Sequence, residues 1–111
     1  VKVVRSEPMQ IIKKLNDRIG EELHDAKHYV ECALKHKDER RGLADTLYSI
    51  SVDEMRHMSL LHAEVVKIIE EYRKTNGEPP ASMQAVYDYL HEQHIKEAAE
   101  IKMMQQMYKE G

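Results

Sequence analysis

Glu22, Glu54 and His57 have the side-chain types and spacing of a carboxylate–imidazole metal site. Glu54 and His57 form Glu-x-x-His, which on a helix puts a carboxylate and an imidazole on one face, three residues apart. A glutamate from a neighbouring helix, such as Glu22, can then bridge or complete the ion's ligand set. Carboxylate oxygens combined with imidazole nitrogen suit iron or manganese, and also zinc. Cys32 is the only cysteine, so an iron–sulfur cluster has no thiolate set to hold it. The motif alone is weak, because about one Glu-x-x-His is expected by chance in a chain of this length and composition. Glu21 and His24 make a second one; it flanks the apolar stripe of its segment and reads as a solvated charge pair.

Position is what separates the two motifs, and position is set by helices. Thr75-Asn76-Gly77-Glu78-Pro79-Pro80 is a strong break and Lys37-Asp38-Glu39-Arg40-Arg41-Gly42 a softer one. Three segments rich in helix formers surround them, about 8–36, 42–73 and 80–109. Each would span roughly 45 Å at 1.5 Å per residue. Ser6, just before Pro8, is placed to cap the first helix. No alternation of β-branched residues suggests a strand. The expected fold is all-α: one domain over 1–111, with three long antiparallel helices running up-down-up.

Each segment carries a stripe at spacings of three and four. The first runs Ile12, Leu15, Ile19, Glu22, Ala26, Tyr29, Ala33; the second Leu43, Leu47, Ile50, Glu54, His57, Leu61, Val65, Ile68, Tyr72; the third Met83, Val86, Leu90, His94, Glu97, Ile101, Met104, Tyr108. These stripes are apolar except near their middles, and a buried charge that loses its partner typically costs about 3–5 kcal/mol. The first break centres near Glu39, with Glu22 17 residues before it and Glu54 15 after. Antiparallel helices therefore bring the two to one height, and counting across the second break projects Glu54 and His57 onto the region of Glu97. Glu22, Glu54, His57, Glu97 and His94 are thus expected in one layer as metal ligands. A rotation of the third helix would instead turn His91 or Glu100 inward. A buried, hydrogen-bonded polar layer that fixes helix register would give the same pattern without any metal. His28, His36 and His62 are expected at the surface, and the Met-rich stretch 103–107 as packing or interface.

The segments Leu15–Tyr29 and Ser51–His57 resemble the first two helices of bacterioferritins and rubrerythrins. In that ferritin-like superfamily the first helix supplies a Glu followed seven residues later by an aromatic, here Glu22 and Tyr29, and the second supplies Glu-x-x-His, here Glu54 and His57. Asp53-Glu54-Met55-Arg56-His57 looks especially like bacterioferritin. The resemblance covers residues from about 12 to 72. It implies a di-iron carboxylate centre that oxidises ferrous iron with dioxygen or peroxide, for iron handling or detoxification. Glu22 and His57 would be terminal ligands and Glu54 a bridging one, with Glu97 in the place of a third-helix Glu. Met55 stands where bacterioferritin has its haem-ligating methionine, turned about 100° from Glu54 and so toward a dimer partner, although methionine in a helix ordinarily packs. The chain departs from the family in having no fourth helix, no second Glu-x-x-His there and no four-cysteine electron-transfer module. The missing ligands would come from a second subunit, as in encapsulated ferritins, or the site would hold a single metal or none.

Other features narrow the function. Acidic and basic residues are interspersed and the net charge is −3, so no basic face for nucleic acid is evident. No apolar run approaches the roughly 18–20 residues of a membrane span. A single cysteine and no visible secretory signal suggest a cytoplasmic setting. A three-helix chain leaves apolar surface where a fourth helix would pack, so self-association is expected. A non-enzymatic helical interaction module is the alternative to an iron oxidase.

Overall fold

The computed structural model describes residues 2–111, with side chains from Glu7 onward. Three helices account for nearly all of them: α1 (Lys2–His36), α2 (Arg41–Asn76) and α3 (Ala81–Glu110). No strand occurs among the described residues. The all-α expectation and both breaks hold. The start of α1 does not, since the helix runs through Pro8 from Lys2, giving up the one backbone bond that a proline cannot donate. Ser6 therefore lies within the helix; its side chain is outside the described residues.

Short connections reverse the chain. Gly77 ends α2 with φ 77° and donates its N–H to the Arg73 carbonyl, a conformation glycine adopts without a Cβ penalty. Pro80 then opens α3, its carbonyl accepting from the N–H groups of Met83 and Gln84. No helix is long and apolar enough to cross a membrane, among the described residues.

Cross-helix contacts fix direction and register. The buried Ser51 hydroxyl donates to the Ala26 carbonyl at 2.7 Å, and Glu22 lies against His57, so α2 runs antiparallel to α1. Lys27 pairs with Glu100 at 2.9 Å, and His94 lies over Gly20, so α3 runs parallel to α1. The bundle is up-down-up, 59 × 19 × 16 Å, and α3 lies far more along α1 than along α2. The main core contains Ile12, Ile19, Leu23, Ala26, Met55, Val65 and Ile101.

At the far end, Tyr108 stacks on Tyr48 with ring centres 4.8 Å apart, its hydroxyl donates to Asp45, and Lys37 Nζ donates to its carbonyl. One turn further in, Gln105 Nε2 donates to Ser51 Oγ at 3.0 Å, so one serine ties all three helices. Ser51→Ala should destabilise the protein by about 1–2 kcal/mol by stripping Gln105 of its acceptor, read as a lower urea midpoint at unchanged slope.

The inward faces differ in part from the sequence stripes. Leu43 and Val86, both expected inside, are 45% and 60% exposed. Ala44, Ser51, Met55 and Val65 are the buried positions on α2, and of these only Val65 belongs to the stripe. The buried face of α2 is turned by roughly 80° from its stripe, less than one 100° residue step. The stripe's apolar residues fill only part of a face that also borders a groove not covered by α3.

Candidate metal centre

Glu22, Glu54 and His57 bring one ligand atom each to within 4.8 Å of one another. Donors around a single ion at about 2.0–2.2 Å stand roughly 3–4 Å apart, so small side-chain rotations would gather the three onto one cation. Antiparallel packing of α1 on α2 makes the level match, and the i, i+3 spacing sets Glu54 and His57 side by side. His57 Nδ1 is 3.4 Å from Glu22 Oε2, and Arg56 Nη2 lies 3.5 Å from the other ring nitrogen. The Glu22 side chain is 22% exposed and that of His57 44%.

Glu22 Oε2 is buried and makes no well-formed hydrogen bond, His57 Nδ1 standing off at 3.4 Å. A desolvated acceptor without a donor costs about 1–3 kcal/mol, more when charged. Two responses relieve it: a proton or a cation. The proton response falls on Glu54, whose carboxyl is pushed up to about 7 from its ordinary 4.5. Hydrogen bonding to Glu22 is the main cause, followed by burial and the Glu22 charge, with His57 opposing. Two oxygens and one imidazole nitrogen suit iron, manganese or zinc, and three protein ligands leave coordination positions open. The residues present therefore fit a first-row divalent ion.

This pair has a pH signature in the metal-free protein. A carboxyl that binds its proton more tightly when folded adds stability that is complete below the unfolded value of 4.5 and is lost as pH rises through about 7. The urea midpoint should carry a component that falls between about pH 5 and about pH 8. Comparing wild type with Glu54→Gln isolates it, because the variant keeps the shape and loses the titration.

His94 and Glu97 stand at the expected height but outside the close group. The reason is rotational. α3 meets α1 on the side of Gly20 and Lys27, positions seven apart and so on one face, whereas Glu22 is two residues, or roughly 200°, from Gly20. The three-residue group thus opens into the α1–α2 groove on the side of α1 away from α3. Glu100, the rotational alternative, is exposed and pairs with Lys27. His91 does turn inward, onto His62. His62, expected at the surface, has its Nε2 buried, because its position on α2 faces α3. Met55 is 8% exposed in the main core and faces inward rather than toward a partner. Tyr29 and Tyr72 are half-buried and Tyr108 is buried. Glu21 and His24 are exposed, as expected, although Glu21 pairs with Arg18 at 3.4 Å rather than with His24.

A cleft of about 600 Å³ lies away from this group, between the start of α3, residues 9–17 of α1 and Ile69 of α2, lined by Met9, Ile12, Ile69, Met83, Val86 and Tyr87 among others. Its wall is apolar and brings no set of metal-binding groups together. Compared with protein-family models, curated proteins and solved structures, the chain finds no match.

Proposed function

We propose that this chain is a ferritin-like metal protein that takes up ferrous iron at Glu22, Glu54 and His57 and passes its electrons to peroxide or dioxygen. The observation that carries the reading is the orphaned Glu22 Oε2 beside a second carboxylate and an imidazole, three donors from two helices within 4.8 Å. The resemblance of residues 12 to 72 to bacterioferritins and rubrerythrins supports iron over zinc. Glu22 and Glu54 supply the negative charge that favours the ferric product, and His57 supplies the neutral nitrogen. Bound iron supplies one electron per ion. With peroxide, two ferrous ions and two protons balance to two ferric ions and two waters.

The site uses three ligands and opens away from α3, so the proposal includes a second copy of the chain. Its own Glu22, Glu54 and His57, brought against the same groove, would complete a two-iron centre. Ferrous titration of chelator-stripped protein, with sedimentation before and after, tests both parts. The expected result is one iron per chain with dimerisation or a pre-formed dimer, and ferric absorbance on adding peroxide. Iron that fails to bind would sink the metal reading and leave a helical interaction module. A monomer that binds two irons would sink the shared site.

A further inference from the structure

His62 of α2 and His91 of α3 lie face to face, ring centres 5.1 Å apart and planes within 13°. Tyr87 continues the stack on His91 at 5.8 Å. His62 Nε2 is buried without a hydrogen-bond partner, and among the described residues neither His62 nor His91 forms an ion pair. We propose that this stacked histidine pair is an acid-opened latch: neutral, it holds the first half of α3 against α2, and protonated, it releases that half from the bundle.

The contacts at this seam allow such a release. α2 and α3 meet only sparsely, and the polar ties of α3 lie toward its other end, at Glu100, Gln105 and Tyr108. Two stacked imidazolium rings repel, and a buried cation without a partner is costly. The surroundings offer little compensation. On α3, Tyr87 stacks on His91, and Glu97 acts on His94. Register places the buried Asn16 of α1 near this height, with Asp17 and Lys13 on its exposed side. Burial, and then the His91 charge, hold the His62 ring below the ordinary histidine range. His94 is also held low, chiefly by burial, with Glu97 opposing. A histidine held low when folded adds stability that is present above the unfolded value of 6.5 and is lost as pH falls through the folded one. Glu54 acts in the opposite direction, so an acid-side loss in α3 cannot arise from the metal group.

Amide hydrogen exchange on the full chain, corrected for intrinsic rates and followed from about pH 7.5 to about pH 5, tests the latch. Residues 81–95 should lose protection by about tenfold or more per unit of pH below the transition, while α1 and the middle of α2 keep theirs. The double variant His62→Phe/His91→Phe retains the stack without the charge and should lose most of the pH dependence, keeping only the smaller part that the buried His94 contributes. Wild-type protection that does not change, or an equal loss in the double variant, overturns the proposal. If the double variant fails to fold, ring-proton titration of His62 in wild type decides: a midpoint at or above the free-histidine value refutes it, and a depressed one that tracks the exchange change supports it.

Discussion

Glu54→Ala is expected to cost ferrous-iron affinity at least about 100-fold, since even residues that only support metal ligands cost 10–100-fold, while the helical circular-dichroism signal persists. Glu54 is partly exposed on a helix surface, and alanine is the best helix former, so the fold has no reason to fail. The removal also frees Glu22 from a like charge, which in the metal-free protein is a gain. The informative control is Glu97→Ala. Glu97 is level with the site in the helix count but sits on the helix that packs on the opposite side of α1. Its removal should change iron affinity by less than about twofold, as for well-separated residues. Equal losses in the two variants would mean that α3 reaches the site. Calorimetric titration of both proteins with ferrous iron under anaerobic conditions is the measurement.

Leu23→Ala should be the most damaging single truncation, by about 2–5 kcal/mol. Leu23 is fully buried, 0% exposed, in the main core of the bundle. Three helices enclose a modest core, and total stabilities are about 5–15 kcal/mol, so the loss takes a large share. A fall in melting temperature of about 10–20 °C is expected for a chain of this size. Leu43→Ala and Val86→Ala remove side chains that the sequence pattern also puts inside, yet each should cost under about 1 kcal/mol, because exposed positions have little burial to lose. Thermal melts of the three variants separate the two placements of the apolar face. A Val86→Ala loss as large as that of Leu23→Ala would show that α3 packs through its sequence stripe after all.

The break at Asn76–Pro80, the softer one after His36 and the pairing of Glu22 with Glu54 and His57 were legible in the sequence. The limits at the second break follow from local chemistry, a glycine at positive φ and paired prolines between long runs of helix formers, whereas Pro8 does not limit α1. The height of Glu22 against Glu54 follows from counting residues on either side of a short reversal, because the rise per residue is fixed. Azimuth is different. Which side of α1 receives α3 depends on how Gly20, Lys27 and Asn16 accommodate it, and a one-residue turn of 100° changes every facing pair without disturbing the helical period. So His94 and Glu97 have the right height and the wrong side, Met55 enters the core, and His62 leaves the surface to stack on His91. The sequence by itself determined the three helices and the carboxylate–imidazole group shared by the first two. Only tertiary packing decided that this group faces away from the third helix, since the choice rests on side-chain fit between helices and not on any signal within one of them.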